Sequence, residues 1–458
     1  MLPHTANGNS RLSFWPRVRE FAVPPSMIET ATVRRAAGDW AGACAAAGVD
    51  VDLDLRSLAR THGRELAARV RADLRRLAPD LLRWHLPRIA PDGLLRPGLT
   101  LTLARYGQDA AHPLHLVVRT PPAWADGGQR IGLALWDGTC RDAVARRHPH
   151  PRPNRRFRLD LHRHLWDAGR SGELWARSGA DRPPADEPPP LPDPLETVPE
   201  GRSCAVDRWA AEAAILLRAE GGTTGPVTVR FGSRHRFVLD PAADTLRITP
   251  APTDGSAAAL PVLPDAATWV PPDLELLRTG AIEAGRLHPL VAAALVPDRR
   301  PRPDGSARIP DRAGQPHLVE CRGALHRIGL VDGVLAPLDH DPDEIRREEL
   351  LVALTGTPLP CLQAVDDAHR HPDCLTGVRE RLIHGDTAGA LAVVEGLLGP
   401  DAVLRGGALR DELRAAAQRR LTYGLFRAGL TGPGPRSGHF FPGLPLPRKG
   451  RPRRTNGR

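Results

Sequence analysis

The sequence predicts an α+β fold, in which several small units of helices packed on short antiparallel sheets are joined by proline-rich linkers. Three observations support this prediction. Leucines recur at helical spacing before residue 86, short runs of alternating apolar residues follow, and the proline-rich stretch 180–200 precedes what resembles a second copy of the same arrangement. At 458 residues, the chain is long enough for two or three domains.

The first unit is predicted to cover residues 26–138. Residues 1–25 should form an irregular N-terminal segment, because Pro16, Pro24 and Pro25 interrupt helical hydrogen bonding. Between Met27 and Leu86 the leucines favour one helical face and the arginines the other. An antiparallel meander is expected to follow, with strands at 99–106, 114–119 and 131–137.

The rest of the chain divides in the same way. Residues 139–200 are expected to be a basic His/Arg segment followed by a proline-rich linker, with one helix over 157–177. A second α+β unit is predicted at 201–296, with helices at 203–219 and 273–295 and strands near 226–231, 235–240 and 245–249. A linker at 297–316 then precedes a hairpin and helical unit at 317–430 (strands 317–322, 325–330 and 334–338; helices 342–354, 375–398 and 406–429) and a disordered basic tail at 431–458.

Charge is concentrated in two segments. The whole chain carries +10, of which the tail 431–458 contributes seven basic residues without an acid, and residues 146–164 contribute seven arginines against Asp160. The remaining residues therefore have a small net negative charge. Because almost all basic residues are arginine in a chain rich in Gly, Pro and Ala, part of this excess indicates a GC-rich genome and not a nucleic-acid partner.

The lysine content excludes several enzyme classes. Lys449, in the tail, is the only lysine, so the predicted units lack the lysine of P-loop proteins, kinases, pyridoxal enzymes and Ser-x-x-Lys hydrolases. No nucleophile elbow or His-Glu-x-x-His helix occurs, and residues 127–132 lack the pattern of a dinucleotide loop. We predict no catalytic residue and no cofactor, although an enzyme without standard motifs stays a third hypothesis.

The cysteines and the hydropathy indicate a cytoplasmic protein. The six cysteines are scattered without a Cys-x-x-Cys pair, which favours reduced and mostly buried thiols. No stretch approaches the roughly 18 apolar residues of a membrane span, and the N-terminus lacks an apolar export signal.

One group has the residue types of a metal site. Cys361, His369, His371 and Cys374 place two thiols and two imidazoles within a short stretch, and zinc accepts such ligands. The spacing matches no common zinc finger, however, and two histidines two residues apart share a face only on extended chain. We therefore predict no metal site, and interpret these residues as surface histidines and a core cysteine.

Two further histidine groups also have simpler interpretations. His148, His150, His162 and His164 alternate with arginine and proline, which is typical of a solvated basic surface; phosphate or metal contact is the alternative. His340 lies between two aspartates, which could suggest acid/base chemistry. The sequence Asp-Pro-Asp-Glu that starts at Asp341 is better interpreted as a helix N-terminus with acids in its first turn.

The tail offers a nucleic-acid interface, with candidate residues Arg448, Lys449, Arg451, Arg453 and Arg454. Gly450-Arg451-Pro452 resembles an AT-hook, whose Arg-Pro core lies in a narrow minor groove. A disordered basic tail with non-specific anion affinity is the alternative. In the second basic segment, Phe157 or Trp166 could stack on bases.

A weak internal repeat links the two ends of the chain. Gly38-Asp39-x-Ala41-Gly42-Ala43 recurs as Gly385-Asp386-x-Ala388-Gly389-Ala390, and a looser copy begins at Thr279. The pattern indicates a glycine turn and an aspartate N-cap that open a helix. These stretches resemble isolated ankyrin-like helical units, and the whole chain is similar to uncharacterised proteins of GC-rich, actinobacterial-type bacteria.

The resemblance implies protein binding, so the leading hypothesis is a cytosolic, non-enzymatic scaffold or adaptor whose partner is another protein. The alternative is a nucleic-acid-associated protein that uses the tail and the 146–164 patch. No membrane partner is expected.

Overall fold

The computed structural model describes the chain at 12–107, 113–125, 127, 129–138, 148–182, 203–232, 235–241, 246–297, 317–355 and 358–432. Within these residues the architecture is α+β, as the sequence predicts: helices pack against small sheets whose strands are mostly antiparallel. The predicted linkers at 180–200 and 297–316 and the tail at 431–458 lie almost entirely outside the described residues.

The first unit is a helical layer on a four-stranded sheet, in which β1 (Val49–Asp52), β6 (Ile131–Trp136), β5 (Leu114–Arg119) and β4 (Thr100–Tyr106) lie side by side in that order. The predicted meander is confirmed, while β1, which pairs in parallel with β6, was not predicted. The elements are α1 Trp15–Phe21, α2 Pro25–Ala36, α3 Trp40–Ala46, β1 Val49–Asp52, α4 Leu55–His62, α5 Arg64–Arg76, α6 Pro79–His85, β2 Arg88–Ile89, β3 Leu94–Leu95, β4 Thr100–Tyr106, β5 Leu114–Arg119 and β6 Ile131–Trp136.

The N-terminal segment is helical where the sequence predicts irregular chain. Pro16 lies in the first turn of α1, where an amide hydrogen has no helical partner and proline is tolerated. Arg19 of this helix is buried and donates from Nε to Asp273 Oδ1 at 2.7 Å, while Trp84 Nε1 donates to the same carboxylate at 3.0 Å. These bonds tie the N-terminal helix to a segment about 250 residues away in sequence.

The segment 148–182 is part of the first core and does not form the long helix predicted at 157–177. It consists of irregular chain, two 3₁₀ turns and the short helix α7 (Leu174–Ser178). Phe157, Leu159 and Trp166 are buried in the first core cluster. Burial of these side chains holds the backbone in place without regular helical hydrogen bonds.

The predicted unit at 201–296 is divided between two cores. Its sheet of β7 Val227–Phe231, β8 His235–Asp240 and β9 Arg247–Pro250 packs with α8 (Val206–Ala219) and α9 (Asp265–Thr268) in a separate cluster. The predicted helix 273–295 is instead two helices, because Gly280 has a positive φ of 66° and Pro289 opens a new helix. These helices, α10 (Pro272–Arg278) and α11 (Pro289–Leu295), pack in the first core.

The third unit follows the predicted order with one helix added and one divided. The helix predicted at 375–398 is interrupted at Gly385, whose φ is 87°. The helix at 360–370 was missed. The elements are β10 His317–Cys321, β11 Ala324–Val331, β12 Val334–Pro337, α12 Pro342–Thr355, α13 Pro360–Arg370, α14 Leu375–His384, α15 Thr387–Leu398 and α16 Ala408–Ala428.

The first two repeat copies share one local structure. Asp39 and Asp386 each accept a hydrogen bond from the backbone of the glycine three residues later, at 2.8 and 2.9 Å, and each follows a glycine in the left-handed region. Helix initiation is therefore confirmed for these two copies. The looser copy at Thr279 leads into a turn and no such cap. The ankyrin resemblance stays a hypothesis.

Helix α16 joins the third unit to the first sheet. The hydroxyl of Tyr423 donates to Asp50 of β1 at 2.5 Å, and Arg427 pairs with Asp52 of the same strand. None of the helices in the described part of the chain is long and apolar enough to cross a bilayer.

Candidate metal centre

Four side chains from the stretch 321–361 converge in the third unit. Cys321, His326, His340 and Cys361 place one sulfur or nitrogen atom each so that all four atoms lie within 4.8 Å of one another. Both cysteines are fully buried, and His340 has only 4% of its side chain exposed. We refer to these four residues as the Cys₂His₂ centre.

The first hairpin of the β10–β12 sheet, which we call the third sheet, positions Cys321 and His326. Arg322 and Gly323 form its two-residue loop, and both have positive φ, 54° and 80°, as in the tight turn that matches the twist of paired strands. Cys321 pairs with Ala324, and His326 lies two residues farther along β11. Because side chains alternate along strands, Cys321 and His326 are diagonal neighbours on one face.

Two aspartates fix the backbone on either side of His340. Asp339 accepts from the backbone amide of Arg327 at 2.7 Å and from its guanidinium at 2.6 Å, and these bonds hold the pKa of Asp339 at about 2. Asp341 accepts from the amide of Asp343 at 2.8 Å at the start of α12. The predicted helix N-terminus after His340 is therefore confirmed, and it also holds this imidazole toward β11.

Cys361 comes from the first turn of α13, which packs on the sheet. Cys321 and Leu359 form a small buried group with it, and the partly buried Val319 packs against this group. The centre thus draws its ligands from β10, β11, the loop before α12 and the start of α13. An ion held by all four would cross-link these elements.

The donor set has the chemistry of a zinc site. Two thiolates and two imidazoles in a closed tetrahedral group are the usual ligands of structural Zn²⁺. His326 Nδ1 and His340 Nε2 are 2.7 Å apart, so both ring nitrogens are close enough to contact the same ion. Burial, together with the adjacent Cys321 thiol, raises the pKa of Cys361 to about 11. Zn²⁺ would displace that proton, because a coordinating thiol is deprotonated.

An acidic side chain supports one of the imidazoles from behind. Glu344 Oε2 lies 3.4 Å from His340 Nδ1, the ring nitrogen that faces away from His326. Its other oxygen accepts from Arg322 at 2.8 Å. A carboxylate behind a histidine fixes the ring orientation and the tautomer that leaves the other nitrogen free to bind metal.

The structure does not bring together the four residues that the sequence suggested. Cys361 and His369 lie at opposite ends of α13, eight residues apart, which is about 12 Å along a helix. His371 follows that helix and is exposed, whereas His369 is buried and not a surface histidine. Of the suggested set, only Cys361 belongs to the Cys₂His₂ centre, whose other members come from elements before α13.

The missed residues had a usable signal. The stretch Cys-Arg-Gly-Ala-Leu-His from Cys321 combines a turn dipeptide with a cysteine and a histidine of matching strand parity. No local spacing, however, indicates that His340 and Cys361 return to this hairpin.

The basic segment 146–164 is partly buried and partly neutralised where it is described. His148, His162 and His164 are buried, which contradicts the solvated surface that the sequence suggests, while His150 is exposed. Trp166 is fully buried and Phe157 nearly so, so neither presents a face for stacking. Three of the arginines described in this segment form ion pairs, namely Arg156 with Asp265, Arg158 with Asp160 and Glu220, and Arg163 with Asp73 and Asp167, while Arg152 and Arg155 are exposed.

The candidate nucleic-acid residues Arg448, Lys449, Arg451, Arg453 and Arg454 lie outside the described residues, so the tail hypothesis stays a prediction.

Comparison with known proteins gives no further guide to the site. No family model, no curated protein and no solved structure matches this chain.

Proposed function

We propose that the protein is a non-enzymatic, zinc-binding interaction protein, in which Zn²⁺ at the Cys₂His₂ centre organises the third unit. The observation that carries this proposal is the convergence of two buried thiols and two imidazoles from four separate elements. Four protein ligands complete a tetrahedron and leave no position for a substrate or a reactive water. The role of the ion is therefore structural.

The composition of the unit supports the same role. Around the sheet β10–β12, the buried apolar group comprises few residues, and Cys321 and Cys361 are two of them. A sheet with so little apolar core gains stability when a metal ion replaces the missing contacts.

Metal analysis of matched cysteine variants tests the proposal. The full chain, purified without chelator, should contain about one equivalent of zinc. Cys321→Ser should lose most of it, because one thiolate of the tetrahedron is gone. Cys374→Ser is the matched control, since Cys374 lies outside the centre, and it should retain the metal.

A second pair separates this centre from the set suggested by sequence. His326→Gln should lose zinc and His369→Gln should keep it. Metal-free wild-type protein, or equal loss in Cys321→Ser and Cys374→Ser, would contradict the proposed centre.

The interaction part of the proposal rests on the opposite face of the same hairpin. Leu318 and Leu325 are 57% and 67% exposed, and their strand positions alternate with those of Cys321 and His326. Large exposed apolar side chains that lie together are typical of protein-binding surfaces. We propose that this face binds another protein, with the metal centre holding the hairpin in place beneath it.

A variant pair tests this face. Leu318→Ser with Leu325→Ser should abolish co-purification of a stoichiometric partner from the native host. Leu421→Ser, which changes a similarly exposed leucine on α16, should leave that partner bound. Identical partners for both variants would contradict binding at the hairpin.

A further inference from the structure

An arginine-lined cavity lies between the first unit and the end of α8, and it shares no residue with the metal centre. It has a volume of about 400 Å³, within the range of small-molecule sites. Its walls come from α5, the end of β4, the loop at 160–163 and the end of α8. We refer to it as the arginine cavity.

Four arginines line the cavity: Arg69, Arg76, Arg105 and Arg163. Two carboxylates, Asp73 and Asp160, are also present, but both already have partners. Asp73 accepts from the hydroxyl of Tyr106 at 2.6 Å and pairs with Arg163. Asp160 accepts twice from Arg158, at 2.8 Å each. The acids therefore do not neutralise the remaining guanidinium groups.

Arg69 and Arg76 have no acidic partner among the described residues. Both are exposed on α5, and the guanidinium of Arg69 lies 5.7 Å from the centre of the buried Tyr106 ring, over the cavity wall. On the third wall, Arg105 pairs with Glu220 through Nη1 at 2.9 Å, but its Nε is buried and has no hydrogen-bond partner within the part of the chain that the structure describes. The cavity thus presents unsatisfied donors from two sides.

The spacing of the two free arginines indicates the kind of anion. Arg69 and Arg76 are seven residues apart on one helix face, which is about 10 Å along the axis. An anion with more than one phosphate group therefore matches this spacing better than a single phosphate does. Arginine forks bind phosphate oxygens in pairs, and a 400 Å³ cavity excludes a nucleic-acid duplex.

From this geometry we propose that the arginine cavity binds a small molecule that carries two or more phosphate groups. Arg69 and Arg76 bind its anionic groups from the helix side, and Arg105 faces them from β4. The bound anion neutralises a cluster of positive charge that the protein itself leaves unpaired. This site is independent of the Cys₂His₂ centre and of its proposed role.

Calorimetric titration of the full chain with tripolyphosphate, pyrophosphate and orthophosphate tests the proposal. Tripolyphosphate should bind at least tenfold more tightly than orthophosphate, because the longer anion offers a separate phosphate group to each arginine. The double variant Arg69→Ala with Arg76→Ala should weaken tripolyphosphate binding by about tenfold or more.

The matched control is Arg71→Ala with Arg75→Ala. These two arginines are exposed on the same helix but do not line the cavity, so the control loses the same charge and should retain affinity within about twofold. Any heat from zinc chelation is the same in both double variants, because neither changes the metal centre. The difference between their titrations therefore measures binding at the arginine cavity. Equal weakening in both variants, or binding of duplex DNA without binding of tripolyphosphate, would overturn the proposal.

Discussion

The β7–β9 sheet, which we call the second sheet, and the β10–β12 sheet have the same topology but different interiors. Each has three antiparallel strands in sequential order. Under the β7–β9 sheet lies an apolar cluster with four large aromatic side chains, namely Trp209, Phe231, Phe237 and Trp269. On the β10–β12 sheet, the inward positions of the first hairpin hold Cys321 and His326 instead.

This difference teaches that strand alternation predicts a sheet but not what stabilises it. An aromatic cluster stabilises by removing apolar area from water, about 25 cal/mol for each Å². Two cysteines and two histidines bury little apolar area, and they stabilise only when a cation satisfies them. The two sheets should therefore respond oppositely to a chelator and to a core truncation.

Metal removal should have the largest effect, and only on the third sheet. After dialysis against a strong chelator, amides of β10 and β11 should exchange hydrogen at close to the rate of unfolded chain, because the hairpin loses its cross-link to α13. Amides of β7 and β8 should keep their protection, and added Zn²⁺ should restore that of β10 and β11. Full protection of both sheets without metal would remove the distinction between them.

Truncation of the aromatic cluster should have the next largest effect. Trp209 is fully buried and donates from Nε1 to the carbonyl of Thr268 at 3.1 Å. Trp209→Ala should destabilise the second sheet by about 3–5 kcal/mol, because it leaves a large cavity and removes one of the two hydrogen bonds that the Thr268 carbonyl accepts. Hydrogen exchange in β7 should report the loss, while zinc content stays at the wild-type level. Loss of zinc in this variant would show that the two sheets are not independent.

The strands show how far the sequence alone could reach. Strands β4 to β8 and β10 to β12 are found within about two residues of their predicted ends, because each has an alternating or apolar run bounded by turn residues. The helix predicted at 375–398 failed because its apolar spacing continues through Gly385 and Asp386. The same two residues had been interpreted as a turn and a cap, and local turn chemistry here outweighs periodicity.

The candidate site was harder to predict from the sequence than the strands were. Cys361 was singled out with neighbours close in sequence, whereas its three partners in the structure lie 21 to 40 positions earlier. Likewise, charge alone indicated a solvated basic surface at 146–164, but three of its histidines are buried and three of its arginines pair with Asp265, Glu220 and Asp73. Both outcomes depend on long-range packing, which no single local pattern contains.

The pH dependence of stability should also differ between the two sheets, by a smaller free energy. Burial alone would raise the pKa of Glu212 on α8, but His162 and Arg177 outweigh burial and lower this pKa to about 2. A lowered carboxylate pKa stabilises the fold above the unfolded value, near 4.5, and this stabilisation of about 3 kcal/mol is lost as the pH falls toward 2. Glu212→Gln should flatten that pH dependence in the exchange of β7 amides. An unchanged slope would show that Glu212 is not the responsible group.

The smallest effect is expected for Glu344, the carboxylate behind His340 of the metal centre. Glu344→Gln keeps the shape of the side chain but removes the charge that faces His340 Nδ1 at 3.4 Å. Loss of such a supporting carboxylate lowers metal affinity by about 10–100-fold, which corresponds to about 1.4–2.7 kcal/mol. Competition with a chromophoric chelator measures this change. Glu349→Gln is the control, because Glu349 is an exposed residue of the same helix and its loss changes the net charge equally. Equal zinc affinities for the two variants would mean that only the backbone around Asp339 and Asp341 orients His340. The Cys₂His₂ centre would then bind its ion without support from Glu344 of α12.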